Sequence, residues 1–413
     1  MDPSIKQAKP RQVLLLGRDD WLMWFLPSIL SRAGCVVDVL TSSHLMRSCR
    51  FVRHCEVIPP STSIVALAAQ KCQEYDWIVI TEDHLLHDIL HSDLSTKTKL
   101  KLLPVLKEEN FSHLYSKISL SKIFSNSGVK TPAFFEATNH DMACEVAQKM
   151  QYPVLLKLDA SGGGSGIFEC HSAADIKALD ASVWLKPVLI QKMIAGTTLD
   201  LSALFLDGEL IHFSYSIMEK VVLNRFGPSV LRNYHSLATV DPIIFDELRK
   251  IGKALGAHGF TNITCIEASD GSGRYYFEAD MRPNVWVDAS IFLGEDIAER
   301  ISSWFSNKRT LQNIVSSSTP PSRVMIPYFL WLSFFELLTN RYNVWKFIPK
   351  DNPGLLCRLF LKKIGRSLSP YSLTNIVKQL VPQKYHPKFK QIYLNCLKAI
   401  RYPTLSIQRR YHL

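Results

Sequence analysis

The chain has 413 residues, of which 47% are hydrophobic and 21% are charged, and its formal net charge is +11. This length allows two or three domains with a large buried core, and this composition excludes wholesale disorder. No apolar run reaches the roughly 18 residues of a membrane span, and the polar, basic first residues do not resemble a secretion signal.

The positive charge is concentrated towards the carboxyl end. Residues 311–413 hold 16 lysines and arginines but only two acids, Glu336 and Asp351, whereas the rest of the chain is close to neutral. The nine cysteines include no C-x-x-C pair. This pattern favours reduced thiols in a cytoplasmic protein over disulfides or a structural zinc site.

The first 110 or so residues predict a small α/β domain with a parallel sheet. "VLLLG" (13–17) and "CVVDVL" (35–40) are predicted strands on either side of a helix over 21–34. "DWIVITEDHLLHDIL" (76–90) predicts a further strand, turn and helix. Only Gly17 follows the first strand, so the glycine fingerprint of a dinucleotide site is missing there.

The middle of the chain predicts helices and hairpins around a glycine-rich turn, "GGGSG" (162–166), which follows the strand "YPVLLK". A helix is predicted before Gly128, and Asp207-Gly208 is a hairpin signal. The amphipathic segment "DPIIFDELRKIGKALGAHG" (241–259) predicts a helix that ends just before Gly259.

Two features of this region point to chemistry. Backbone N–H groups of the glycine turn could close over phosphate oxygens beside the charge of Lys157. Glu278 and Asp280 are two residues apart on a predicted strand and so point to the same face. Paired oxygen ligands of this kind suit Mg²⁺. Arg282, two residues further, could neutralise a phosphoryl group. A plain surface turn and a salt-bridged surface strand are the alternative interpretations.

Taken in order, these residues resemble the ATP-grasp superfamily over roughly residues 10–308. The matching segments are a "K…K…GV-x-TP" signature (117–132), the strand with the glycine flap (152–166), a "Q-x-x-I-x-G" hinge (191–196) and "E-x-D-x-R" (278–282). The resemblance implies an α/β and α+β fold class. It implies a parallel-sheet pre-ATP-grasp domain (1–115), an ATP-grasp domain (116–310) with its flap subdomain at about 130–195, and a basic, mostly helical extension (311–413).

The resemblance also implies a site, residue by residue. Lys157, Arg282 and Arg232 would be catalytic, and Glu278 and Asp280 would hold the metal. The remaining positions would bind the nucleotide: Lys122 (alternatively Lys117), Lys157, Gly162, Gly163, Gly164, Ser165, Gly166, Gln191, Lys192, Met193, Ile194, and Asp200 for the ribose.

Three departures from the family pattern bear on this site. Thr198 replaces the acid that follows the hinge, and Asp280-Met281 replaces the usual asparagine-proline pair. Thr264 stands where an acidic first metal ligand is expected. Metal binding is therefore less firmly implied than nucleotide binding.

The implied function is a cytoplasmic ligase that uses ATP with Mg²⁺, or Mn²⁺ in its place. It would activate the carboxylate of a small molecule or peptide as an acylphosphate and join it to an amine or thiol, releasing ADP and phosphate. One alternative is a degenerate ATP-grasp protein that binds nucleotide without ligation. Another is a protein that binds an anionic membrane surface or a partner through residues 326–413. No nucleic-acid module is visible, and similar proteins suggest a homodimer.

Overall fold

The structure is a computed structural model that describes residues 10–59, 61–164, 166–222, 226–306 and 321–367. The chain divides into two compact units, Met1–Leu355 and Leu356–Leu413. The site described below lies within the first unit. Of the second unit, the structure describes residues 356–367, which belong to one helix.

A parallel four-stranded sheet forms the amino-terminal part. Its strands are β1 (Gln12–Gly17), β2 (Val36–Thr41), β3 (His54–Val57) and β4 (Trp77–Ile80), in the order β3-β2-β1-β4. The associated helices are α1 (Leu26–Arg32), α2 (Ile64–Lys71), α3 (Asp83–Leu90) and α4 (Thr96–Leu102). β4, and β1 after Gln12, are apolar and buried, as expected for strands covered on both faces. Asp83 begins α3 and so lies near the carboxyl edge of this sheet.

The flap region is a second, antiparallel sheet that follows helix α5 (Lys117–Asn126). Its strands are β5 (Phe134–Ala137), β6 (Val154–Leu158), β7 (Ile167–Cys170) and β8 (Val188–Lys192), in the order β5-β8-β6-β7. Helices α6 (His140–Met150) and α7 (Ala173–Lys177) belong to the same region and share its small apolar core. The glycine-rich turn joins β6 to β7.

The central sheet has six antiparallel strands in the order β13-β12-β9-β10-β11-β14. Its strands are β9 (Gly196–Leu206), β10 (Glu209–Val221), β11 (Ser229–His235), β12 (Gly259–Ala268), β13 (Arg274–Asp280) and β14 (Arg323–Pro327). Helices α8 (Ile243–Leu255) and α9 (Ile297–Phe305) connect them. One apolar cluster, which includes Leu14, Phe124, Phe205 and Leu248, joins the parallel sheet to the central sheet.

The described chain beyond β14 contains α10 (Phe334–Leu338) and α11 (Pro353–Ser367). The apolar segment 327–347 thus forms only short helical pieces. Within the described ranges, every helix is too short or too polar to cross a membrane.

The predicted fold class and most predicted elements are confirmed, including the hairpin at Asp207-Gly208. The first helix is shorter than predicted, because residues 21–25 form turns and the helix begins at Leu26. α8 ends three residues earlier than predicted, because Gly256 (φ 56°) forms its left-handed cap. Strand β14 was not predicted at all in the carboxyl-terminal region. The domain boundaries at 115/116 and 310/311 stay predictions.

Candidate active site

A cavity of about 640 Å³ is lined by residues of both the flap sheet and the central sheet. β6 contributes Lys157, the hinge contributes residues 191–194, and the central sheet contributes Thr264 and Glu278. Small-molecule sites in proteins typically occupy about 300–1,000 Å³. The cavity is therefore large enough for a nucleoside, and we call it the nucleoside cavity.

The hinge forms one wall of the nucleoside cavity. The Lys192 ammonium donates to the carbonyl oxygens of Met150 and Gln151 (2.8 and 2.6 Å), so its charge is already engaged within the protein. Gln191 is 1% exposed, and its Nε2 has no hydrogen-bond partner among the described residues. Because buried amide donors are nearly always paired, this group fits a ligand that presents an acceptor atom, such as a nucleobase nitrogen.

Lys157 brings a buried positive charge to the nucleoside cavity. Its side chain is almost fully buried, and its ammonium lies 4.6 Å from the centroid of the Phe277 ring. No described residue accepts a hydrogen bond from it. Burial lowers the pKa of Lys157 to about 8; Glu278 opposes this shift, and Lys117 adds to it. Such a buried, unpaired ammonium is suited to an anionic ligand.

A second cavity, of about 130 Å³, shares Glu278 with the first. Gly162 and Gly163 line it from the flap, Lys117 from α5, and Asp280 and Arg282 from the end of β13. Its lining brings the flap glycines together with two cations, Lys117 and Arg282, and with four carboxylates, those of Asp83, Asp159, Glu278 and Asp280. We call it the phosphate cavity.

The flap has the backbone that its glycines predict. Gly163 and Gly164 have φ angles of 59° and 76°, a region that other residues rarely adopt. A Cβ atom on Gly164 would lie 2.4 Å from the carbonyl oxygen of Phe226, so only glycine allows this close approach. Gly166 is tightly surrounded as well, and Ser165 lies outside the described residues.

Arg282 connects Asp280 to Asp83, which lies next to the amino-terminal sheet. Its Nε donates to Asp83 Oδ1 (2.7 Å), and its Nη2 donates to Asp280 Oδ2 (3.0 Å). Burial raises the pKa of Asp280 above its ordinary value; Arg282 opposes this shift, and the nearby Glu278 adds to it. Nothing in the motif order pointed to Asp83, although its place after a parallel strand was a usable signal.

The acids fit a magnesium ion only in part. Glu278 and Asp280 both line the phosphate cavity, as their spacing of two residues along the strand predicts. Thr264 pairs with Glu278 across β12 and β13 and offers a hydroxyl instead of a carboxylate. No group of three metal-binding His, Cys, Asp or Glu side chains is present in the described part of the chain. The two carboxylates suit a Mg²⁺ ion that takes its other ligands from phosphates and water.

Of the two candidate lysines on α5, the structure brings Lys117 to the site. The Lys117 ammonium donates to the carbonyl oxygen of Ser161 and lies 3.3 Å from its hydroxyl oxygen, at the base of the flap. Lys122 instead forms an ion pair with Glu136 (2.7 Å), is half exposed, and lines neither cavity. The geometry therefore favours Lys117 over Lys122 as the α5 lysine at this site, because residues five apart on a helix point to different faces. A nucleotide contact by either lysine stays a prediction.

Asp200 and Arg232 also line neither cavity, in contrast to their predicted roles. Both are buried, and they form an ion pair with each other. Arg232 Nε donates to Ser229 Oγ (2.7 Å), and its guanidinium lies 4.8 Å from the Trp286 ring centroid. Asn284 Nδ2 donates to Asp200 Oδ1 (3.4 Å). These charges are satisfied within the protein, so the geometry does not support ribose binding by Asp200 or direct catalysis by Arg232.

Many solved structures are similar to this chain, and three of them are representative. The biotin carboxylase domain of the Hydrogenobacter thermophilus 2-oxoglutarate carboxylase, in complex with MgADP, ADP and bicarbonate, has a TM-score of 0.58 and 17% identity, covering 73% of this chain and 71% of that chain. L-amino acid ligase from Bacillus licheniformis has a TM-score of 0.55 and 15% identity, covering 71% and 74%. N5-carboxyaminoimidazole synthetase from Staphylococcus aureus, complexed with ADP, has a TM-score of 0.55 and 14% identity, covering 71% and 76%.

The sequence comparisons are more limited. No protein-family model matches the chain. Carbamoyl-phosphate synthase of Methanobrevibacter smithii is 25% identical over 179 residues, or 41% of this chain. The chain spans about half the length of that relative (46%). With the sheet topology, the structural likenesses show that the chain has the ATP-grasp fold, preceded by a parallel-sheet pre-ATP-grasp domain.

Proposed function

We propose that the protein is a Mg²⁺- and ATP-dependent ligase that activates a carboxylate as an acylphosphate and joins it to an amine or thiol. The observation that carries this proposal is the position of Glu278, shared by a nucleoside-sized cavity with an unpaired lysine and a smaller cavity with the flap glycines. The names of the similar structures, an amino acid ligase and a carboxylase among them, support the same class of reaction.

The site residues divide the work of binding. Residues 191–194 would hold the base, and Lys157, Lys117 and the flap glycines would hold the phosphates. Glu278 and Asp280 would hold Mg²⁺, which supplies charge neutralisation and orientation of the phosphate oxygens when it is bound.

The reaction then needs positioned charge more than a covalent protein intermediate. A carboxylate oxygen of the substrate attacks the γ-phosphorus of ATP, and ADP leaves. The amine or thiol next attacks the acyl carbon, loses its proton and displaces phosphate. Lys157 and Arg282 would offset the negative charge of the moving phosphoryl group.

Calorimetric titration with ATP, with and without Mg²⁺, tests the binding part of this proposal. We expect the Glu278→Ala/Asp280→Ala variant to lose the Mg²⁺ dependence, and Glu299→Ala, a change at an exposed acid on α9, to behave as the wild type. A screen of carboxylates with amines or thiols for ADP release tests the chemistry. ATP turnover by the double variant equal to that of the wild type across the acceptors would overturn the metal assignment.

A degenerate ATP-grasp protein that binds nucleotide without ligation is the second candidate, and Thr264 at the position opposite Glu278 favours it. Binding of ATP that is indifferent to Mg²⁺, together with no ADP release for any acceptor, would support this candidate. Restoring a carboxylate with Thr264→Glu should then create Mg²⁺-dependent binding.

We further propose an anionic membrane surface as a partner of the carboxyl-terminal region. Phe335 and Leu338 on α10 are 71% and 81% exposed, and the basic residues Arg341 and Lys346 follow them. Co-sedimentation with anionic but not neutral vesicles, lost in Phe335→Ser/Leu338→Ser, would support this partner; equal sedimentation of the variant would exclude this surface. A cytoplasmic location and a homodimer stay predictions.

A further inference from the structure

Lys220 is a charged residue of the nucleoside cavity that the proposed function leaves unused. It lies near the end of β10, and its neighbours in sequence also line the cavity. The pairing of β10 with β11 is irregular on both sides of Lys220, between Met218 and Lys220 and between Lys220 and Val221. Irregularities of this kind commonly redirect a side chain next to an active site.

The partner of Lys220 comes from the carboxyl-terminal region. Its ammonium lies 3.1 Å from Glu336 Oε1, and the Glu336 side chain is only 13% exposed. The other oxygen, Oε2, accepts hydrogen bonds from the backbone N–H and the hydroxyl of Ser333, both at 2.9 Å. Ser333 and Glu336 form the capping box of α10, so the orientation of the carboxylate is fixed independently of Lys220.

The segment that carries Glu336 is anchored to the central sheet. β14 pairs with β11, and the Tyr328 N–H donates to the carbonyl oxygen of Val230 (2.8 Å). Leu332 and Leu337, on either side of the capping box, are 1% and 3% exposed. The position of Glu336 is therefore set by buried packing.

We infer that Glu336 is a positioning residue that holds Lys220 at the nucleoside cavity, so that residues 321–350 complete the nucleotide site. The inference rests on the proposed function. An ammonium has three N–H donors, and the hydrogen bond to Glu336 uses one of them. The others stay available to a phosphate or carboxylate oxygen in the cavity. The carboxyl-terminal region thereby acts on the site through one ion pair.

A double-mutant cycle on MgATP binding tests the inference, with Lys220→Met, Glu336→Gln and the combined variant. Glutamine keeps the capping box but loses the charge that attracts Lys220. We expect Lys220→Met to weaken binding about tenfold, in line with one charge-assisted hydrogen bond, and Glu336→Gln to weaken it about threefold. The combined variant should bind no more weakly than Lys220→Met, because Glu336 acts only through Lys220. Glu299→Gln serves as the control at an exposed acid, and melting temperatures check the fold.

The outcomes separate this inference from the proposed function. Additive effects of the two changes would overturn it, because Glu336 would then act independently of Lys220. Wild-type affinity in either single variant would overturn it as well. If the wild-type protein binds no MgATP, the proposed function is overturned, and so is this inference, which rests on it.

Discussion

Two groups of charged side chains lie close to each other, one within the central sheet and one between that sheet and the flap sheet, and they are organised in opposite ways. Asp200, Thr264 and Glu278 form a single row across β9, β12 and β13. At one end of the row, Asp200 is paired with Arg232 and with Asn284. At the other end, neither Lys157 nor Glu278 has an ion pair or side-chain hydrogen bond with a described residue.

The difference shows how to distinguish a structural charge from a functional one. Removing a charge from water costs free energy unless a partner compensates it, and Asp200 and Arg232 compensate each other. Lys157 is just as deeply buried but lines a cavity in which a ligand can compensate it. Lys157, Asp200 and Arg232 are all charged and buried, and the cavity beside Lys157 and the protein partners of the other two separate them.

The largest expected effect is the loss of stability when one member of the Asp200–Arg232 pair is removed. Arg232→Met leaves Asp200 buried without its cation, so we expect the free energy of unfolding to fall by about 3–5 kcal/mol. Urea denaturation measures this loss, with Lys122→Met as the surface control, which should change stability by less than about 0.5 kcal/mol. A stable Arg232→Met variant that no longer binds ATP would instead indicate that Arg232 acts in the active site.

Removing the unpaired lysine should affect binding and spare the fold. We expect Lys157→Met to weaken MgATP binding by about 100-fold, because a buried ammonium contacts the phosphates at low local dielectric. Its melting temperature should match or exceed that of the wild type, since the cost of burying the charge is removed. Calorimetry and thermal denaturation measure the two quantities. A large loss of stability would mean that Lys157 is structural.

Stability and MgATP affinity should change in opposite directions as the pH rises and Lys157 loses its proton. Its pKa is about 8 in the folded chain against 10.5 for a free lysine, so the unfolded chain binds more protons between these values. Stability relative to Lys157→Met should therefore rise from pH 8 to pH 10. MgATP affinity should fall over the same range, by about tenfold at pH 9, as the ammonium loses its proton. Parallel changes in stability and affinity would contradict this assignment.

The smallest expected effect distinguishes the two lysines of α5. Lys117→Met should weaken MgATP binding about fivefold, because Lys117 lies at the phosphate cavity beside the flap. Lys122→Met should stay within about twofold of the wild type, because its partner is Glu136 on the outside of the flap sheet. Calorimetric titration of the two variants side by side measures this difference. A larger loss of affinity in Lys122→Met than in Lys117→Met would favour Lys122 as the nucleotide-binding lysine.

Much of the site could be predicted from local spacing. Glu278 and Asp280 were expected on one face because side chains alternate along a strand, and both line the phosphate cavity. The flap was expected because glycines tolerate positive φ angles, and Gly163 and Gly164 adopt them. The order of the motifs along the chain was enough to predict the ATP-grasp fold.

The sequence by itself determined most of the strands, turns and helices and the faces of their side chains, because these depend on periods of a few residues. Only the tertiary structure decided their partners. Asp200 meets Arg232, Arg282 meets Asp83, and Lys220 meets Glu336. Each pair joins residues far apart in the chain, and its distance is set by how sheets and helices pack. A charged side chain is therefore structural or functional according to its neighbours in space, which no local spacing encodes.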